Sequence, residues 1–376
     1  MRTLRNLTLG FTFIFTFILP TQAQISNTGM TDRVDSVELG KLVISGFVDA
    51  YLGTNFNQSP NGNRMYSVSQ TRVNETNINL AYLDFRYQNQ KVRLKFTPGF
   101  GTYVDANYAT EKGSIKNLIE ANVGVKLSPK KEIWLDAGVL GSPFTNETAI
   151  SKDHFMYTRA MAPEYVPYYL AGARLTYPLT PKLTTYLYLL NGWQQIYDQN
   201  NSLSAATQME YKPNNNLLIN WDTYLGNEKS SLSPDNRMRY FSDVYAIFNL
   251  NTKWSATTCV YGGIQQRLDS LTNKLNNKTW WQANVVLKYN INKYHYLAAR
   301  VEYFEDLNHV VTNVETSAVQ GFNSYSAGLC FTKKITDNAL FRLEGRHFYS
   351  NRKVYLQNNT PTNNSTLLIT NLTVWF

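Results

Sequence analysis

Asn371-Leu372-Thr373-Val374-Trp375-Phe376 closes the chain, and its reading decides the fold. Together with Leu368, the residues Leu372, Val374 and Phe376 fall on one face of an alternating strand. An aromatic takes the last position, with no tail after it. The same period of two recurs upstream. In 119–127, Ile119, Ala121, Val123, Val125 and Leu127 alternate with Glu120, Asn122, Gly124 and Lys126. In 281–289, Trp281, Ala283, Val285, Leu287 and Tyr289 alternate with Gln282, Asn284, Val286 and Lys288. Such segments are strands with two unlike faces, although a soluble β-sandwich shows the same alternation.

Between the strands, short turns and long polar connections take turns. The short turns are Gln88 to Gln90, Ser128 to Lys131, Leu179 to Pro181, Pro213 to Asn216, Asn251 to Lys253, Asn290 to Lys293, and Thr336 to Asn338. The long connections run near 57–76, 107–114, 143–167, 196–203, 227–236, 269–277, 307–321 and 350–363. Seven short turns and eight long connections predict sixteen strands. Their starts fall near 42, 77, 91, 115, 132, 168, 182, 203, 217, 237, 253, 279, 294, 322, 339 and 364. An even count returns both ends of the sheet to the side of the short turns, the arrangement of an outer-membrane barrel.

The other end of the chain has the form of a secretory signal. Arg2 and Arg5 precede an apolar run from Leu7 to Leu19, Pro20 breaks it, and Thr21-Gln22-Ala23 is a small-x-small cleavage site. The run is shorter than the ~20 residues a spanning helix needs. The expected organisation is a signal peptide at 1–23, a periplasmic N-terminal segment at 24–41, and a single barrel domain at 42–376. Mean hydropathy is −0.35, which a barrel tolerates because only every second strand residue meets lipid. The net charge of +9 includes Arg2 and Arg5 and is spread without a clustered patch, so nucleic acid is not an expected partner. Cys259 and Cys330 fall on strands that are not neighbours, roughly 15 Å apart at ~4.8 Å per strand, beyond disulfide reach. No metal-ligand spacing occurs, and no cofactor is expected.

Aromatics make up 14% of the chain, and their placement separates a membrane barrel from a sandwich. Tyr87, Tyr177, Tyr211, Phe248, Trp254, Tyr289, Phe331 and Phe376 share the apolar parity and lie beside short turns or the C-terminus. That is the pattern of an interfacial girdle. Tyr103, Trp193, Trp281 and Tyr325 form a looser set beside the long connections.

The opposite parity carries the charges. The acids are Asp49, Asp84, Glu120, Asp136, Glu210, Asp222, Asp243, Glu302 and Glu344. The bases are Arg86, Arg93, Lys95, Lys126, Arg174, Lys212, Lys288, Arg300, Arg342 and Arg346. Arg or Lys on the lipid face near mid-membrane costs about 2–4 kcal/mol, which enforces this parity. These residues are expected to line a hydrated lumen, since sixteen strands enclose more than wall side chains fill. The competing expectation is an interior closed by paired charges.

The connection from Gly141 to Tyr168 is the longest, at about 25 residues, and loops of that length in a compact fold are functional or disordered. Residues 146–160 are predicted to form a helix starting at Asn146, followed by the rigid aromatic stretch Pro163 to Tyr169. Its apolar content predicts folding into the lumen, with Glu147, Lys152, Asp153, Arg159 and Glu164 at a constriction. A packed extracellular cap is the alternative.

Several stretches carry a family resemblance: Ile44-Ser45-Gly46-Phe47-Val48-Asp49-Ala50-Tyr51, Trp134 to Gly138, Ala149 to His154, Pro167 to Tyr177, and Leu190 to Gln194. Gly226-Asn227-Glu228 and Arg239 to Asp243 fit as well. Over roughly 42–376 the chain resembles the "putative β-barrel porin" family of the OmpL-like type from Gram-negative outer membranes. The resemblance implies a transmembrane antiparallel up-and-down β-barrel with a porin role and supplies no solute. Lys152-Asp153 and Arg159 match the family's long-loop segment as loop determinants only. The C-terminal strand is similar to those that serve as assembly signals, with Phe376 as the signal residue.

The leading expectation is an outer-membrane porin for passive diffusion of small hydrophilic solutes or ions. Expected partners are outer-membrane lipid, the barrel-assembly machinery through the C-terminal strand, the solutes themselves, and a second and third copy in a homotrimer. A structural or adhesive barrel displaying surface loops is one alternative, which calls for longer, repetitive loops, whereas most here are 8–20 residues. A barrel-type lipid hydrolase is the other. It needs a His beside a nucleophile on one outer face. His295 and His347 have Leu297 and Tyr349 as same-face neighbours, while His154 and His309 are in loops, so no enzyme activity is expected.

Overall fold

Every strand of this chain has an apolar face and a polar one, and the computed structural model resolves that conflict by closing the sheet on itself. It describes residues 40–57, 62–312 and 321–376. The expected signal peptide and nearly all of the 24–41 segment lie outside the described residues. The barrel strands are β1 (Leu42–Asn55), β2 (Thr76–Gln88), β3 (Val92–Phe100), β4 (Leu118–Lys126), β5 (Trp134–Gly141), β6 (Tyr169–Thr180), β7 (Leu183–Leu190) and β8 (Ser204–Asn214). They continue with β9 (Leu217–Asn227), β10 (Asn236–Asn249), β11 (Trp254–Asp269), β12 (Lys274–Asn290), β13 (His295–Asp306), β14 (Phe322–Thr336) and β15 (Ala339–Tyr349). A small hairpin, β16 (Tyr355–Gln357) and β17 (Thr360–Thr362), precedes the last barrel strand, β18 (Asn364–Trp375).

Each barrel strand pairs antiparallel with its neighbours in sequence, and β1 pairs with β18, from Phe47 opposite Trp375 to Asn55 opposite Leu367. Sixteen strands therefore form one closed antiparallel barrel, as the turn count predicts. Most begin within a few residues of their expected positions. The two larger departures have local causes. A 3-10 turn over Gly113–Asn117 delays β4. The β11–β12 ladder runs on to Asp269 opposite Lys274, because backbone pairing continues through polar residues read as loop.

The outward parity is apolar and exposed. Ile44, Val48 and Leu52 on β1, Val123 and Val125 on β4, Leu187 and Leu189 on β7, and Leu368, Leu372 and Val374 on β18 all point away from the barrel. A continuous belt of this kind matches a lipid surface. Outward aromatics meet across strands at both rims. Trp254 and Tyr289 lie 4.6 Å apart near the short turns. Trp281, Tyr303 and Tyr325 form a ladder at the other end, with centroids 5.0 and 4.6 Å apart. Two members of the looser set are not in that girdle. Tyr103 lies on α1 (Thr102–Asn107) and is buried, and Trp193, beyond the end of β7, packs on Phe144, Tyr224 and Phe241. Both follow the end of a strand, where period-two parity no longer tells inside from outside.

At the seam, Gly46 donates to the Phe376 carbonyl (3.1 Å) and Phe376 donates to that of Gly46 (3.0 Å). The Phe376 ring occupies the space that a Cβ on Gly46 would take. A cross-strand aromatic thus covers a glycine on the lipid face. Replacing Phe376 with Ser should lower the stability of the folded barrel by about 1 kcal/mol, the upper range for one cross-strand pair. Urea unfolding in lipid vesicles, followed by tryptophan emission, reads this directly, and an unchanged midpoint would contradict it.

Candidate functional site

Many inward-facing charges on this barrel pair with one another. Asp136 on β5 accepts from Arg93 Nε (2.6 Å) and Nη2 (2.5 Å), and Arg174 Nη2 lies 3.3 Å away on the adjoining strand β6. Lys95 Nζ meets Glu120 at 2.9 Å, and Arg86 Nε meets Asp84 at 2.5 Å. Asp222 and Asp243 face each other across β9 and β10, and Asn220 donates to Asp222. On the far wall, Arg300 and Glu302 of β13 and Arg342, Glu344 and Arg346 of β15 form a network in which Arg346 pairs with Glu302 and Arg300 lies 3.3 Å from Glu344. Of the wall residues expected to line a hydrated lumen, most are buried, while Arg93, Lys126, Glu210, Lys212 and Lys288 are half-buried. Many of them line the inner face as paired charges. Unpaired, each would carry the large desolvation cost of a buried charge.

The segment between β5 and β6 uses the same side chains. It connects neighbouring strands, yet its partners stand about half the strand order away, on β13 and β15. Tyr157 and Thr158 donate their N–H groups to Glu344 Oε2, both at 2.8 Å, and Met161 donates to Glu302 (2.6 Å). Arg300 donates to the Thr158 carbonyl (2.7 Å), Arg342 to that of Ser151 (2.6 Å), and Arg346 to that of Arg159 (2.8 Å). Thr145 donates to Asp243 (2.8 Å), and Ser151 Oγ donates to Asp49 (3.0 Å). Most of residues 142–168 are buried. The helix expected from Asn146 does not form. Only a 3-10 turn at Ser151–Asp153 and the short α2 (Met161–Glu164) appear. Thr145 takes a positive φ of 68°, and N–H groups that a helix would turn toward its own carbonyls go to carboxylates of the wall instead.

The five loop charges do not gather into one ring. Lys152 lies 3.3 Å from Asp153, and both border a cavity of about 750 Å³ at the short-turn end, together with Glu147. Burial raises the Glu147 carboxyl above its ordinary range, with Arg300 opposing the shift. Arg159 and Glu164 sit elsewhere, fully buried and 3.4 Å apart. The Arg159 guanidinium stacks between Tyr103 (4.9 Å) and Tyr168 (4.2 Å). Glu164 accepts from Val68 N (2.5 Å) and Ser69 Oγ (3.0 Å), which ties the third long connection to the first.

Inward aromatics are the part that sequence reading missed. Phe241, Tyr261, Trp280 and Phe304 are buried on the polar parity and pack with Phe144 and Trp193. Their signal was present as aromatics at inward positions of β10 to β13, but parity alone assigns those positions to water. Removing the Glu344 carboxylate should detach the loop. Glu344→Ala strips the acceptor of two N–H groups and leaves Arg300 short of a partner, a loss of about 3–5 kcal/mol at a buried pair. The expected outcome is a folded barrel cut by trypsin after Lys152 or Arg159 where the parent resists. Equal resistance would mean that the network does not hold the segment.

Solved structures share the fold at low identity. The outer membrane channel DcaP of Acinetobacter baumannii superposes with a TM-score of 0.60 at 12% identity, covering 89% of this chain and 97% of that one. OprB of Pseudomonas putida gives 0.58 at 9% identity, over 89% and 94%. An anion-selective porin from Comamonas acidovorans gives 0.57 at 8% identity, over 89% and 99%. No curated protein matches the chain. The sequence of residues 41–376 matches the family described as Putative beta-barrel porin-2, OmpL-like, and the chain belongs to that family.

Proposed function

We propose that this protein is an outer-membrane porin through which small hydrophilic solutes and ions diffuse passively, and that residues 142–168 lie across its interior as the constriction. Family membership supports the first part. The second rests on one observation: a segment joining β5 and β6 hydrogen-bonds to wall residues on β13 and β15. Reaching that wall from β5 requires crossing the enclosed space. The signal-like features of residues 1–23 support export to the periplasm. The paired ladder at Phe376 supports recognition of the C-terminal strand by the barrel-assembly machinery. OmpT of Vibrio cholerae, similar in fold, has a trimer form, and a homotrimer is the assembly we assign.

Near-balance between acids and bases on the inner wall implies a weak ion preference, leaning to anions with the positive net charge. Planar-bilayer recording tests the whole reading. Purified barrel should give stepwise conductance. Deleting residues 146–160 should raise the single-channel step at least severalfold while the barrel still forms, because strand pairing does not depend on loops. Steps of unchanged size in the deletion variant would place the segment outside the conduction path. A strong preference for cations would refute the charge argument.

A further inference from the structure

The cavity at the short-turn end has a chemistry that the pore reading leaves unused. Its floor is the underside of residues 146–155, and its rim comes from three successive short turns, around Lys253, Lys293 and Asp337. Five lysines border it: Lys152, Lys253, Lys288, Lys293 and Lys334. The acids beside them are Glu147, Asp153 and Asp337. Glu147 is engaged by the Ala160 N–H (2.6 Å) and lies 3.7 Å from Arg300. Asp153 is taken by Lys152, and Asp337 is fully exposed, 3.7 Å from Lys334.

Among the described residues, Lys253, Lys288 and Lys293 have no carboxylate within ion-pair distance. Lys288 is the telling one. It is half-buried on the inward face of β12, and its ammonium lies over the rings of Phe155 (5.1 Å) and Tyr296 (4.7 Å). Ring faces hold the cation in place without neutralising it, so its attraction for an anion remains. Between the lysines the wall carries apolar patches from Phe155, Ile247, Leu340 and Trp375, set among neutral polar side chains such as Asn146, Asn249, Thr257 and Asn290.

We propose that this cavity binds small organic anions, specifically a carboxylate carried on an apolar or aromatic body. The inference deepens the porin reading by naming a solute class, and it rests on that reading for the solute's onward passage. Two features select this class over a mineral ion. The volume, about 750 Å³, lies within the range of about 300–1,000 Å³ found for organic ligands. The apolar patches offer a hydrated chloride nothing, whereas a ring can pack against Ile247 and Leu340 while its carboxylate reaches Lys288 and Lys152, whose ammonium groups lie over Phe155 and Trp375. Lysines suit a carboxylate that enters and leaves, because each is a mobile point charge and not a fixed two-pronged clamp.

Benzoate is the probe, and benzylammonium and benzyl alcohol are its charge controls. Binding to the folded full-length barrel in detergent is read at equilibrium by calorimetry and by Trp375-dependent emission, with folding checked by heat-modified electrophoretic migration. Benzoate should bind saturably and the two controls should not. Lys288→Gln combined with Lys152→Gln should weaken benzoate about tenfold or more, the scale of one lost charged hydrogen bond. Lys229→Gln, on a distant long connection, should leave it unchanged. Lys288→Arg, which keeps the charge, should retain most of the affinity. Absence of saturable binding, equal binding of benzylammonium, or indifference to the paired Gln substitutions would each overturn the proposal. The same preparations are tested for conductance. A conducting barrel that ignores benzoate defeats this inference alone. A barrel that binds benzoate through the lysines but never conducts defeats the porin reading and leaves the site standing.

Discussion

In hydrocarbon no water is available to a peptide group, so every N–H and C=O of a spanning segment must find its partner within the protein. The pairing of β1 with β18 meets that demand for the whole molecule. Without it, two strands would each present an unpaired edge to lipid. With it, the sheet has no edge, and the alternation of its strands acquires an inside and an outside. The outward apolar belt, the rim aromatics and the inward charges all follow from that one closure.

Closure creates a second problem in the interior. Sixteen strands enclose more space than their own side chains fill, and charges held there need partners or water. This chain uses both neighbouring side chains and a borrowed backbone. Asp136 with Arg93 and Arg174 is a self-sufficient wall cluster. Glu344 and Glu302 instead take N–H groups from the segment between β5 and β6, and Arg300, Arg342 and Arg346 take its carbonyls. The segment has almost no regular structure because its hydrogen bonds are spent on the wall. The wall charges tolerate burial because the segment is there.

That mutual dependence marks where sequence reading stops. Strands, turns and parity were legible because lipid imposes a period of two on each strand separately, so local pattern suffices. The placement of Asp84, Arg174 or Glu302 on the inward face needed nothing beyond that. The conformation of 146–160 was not legible. A propensity-based helix lost to acceptors on Glu344 and Glu302, residues more than a hundred positions away in sequence. Tyr103 and Trp193 were misplaced for a related reason, since both stand past the end of a strand. Among the loop charges, nothing local in the sequence separates Lys152 and Asp153, at the cavity, from Arg159 and Glu164, buried elsewhere. The lysines of successive short turns were visible one by one, and only the closed sheet brings them to a common cavity.

The seam has a consequence in time as well as in space. It joins segments at opposite ends of the chain: Asn57 Nδ2 reaches the Asn364 carbonyl across 307 residues. Closing a loop of that length is the entropically most demanding step of the topology, and it gains nothing until strands between its ends are laid down. Residues 142–168 are likewise separated by more than a hundred positions from their partners on β13 and β15. Until the segment docks, its N–H and C=O groups need water, and the wall charges lack the partners it supplies. A seam closed before that docking would leave Glu344, Glu302 and the arginines beside them without the partners the segment supplies.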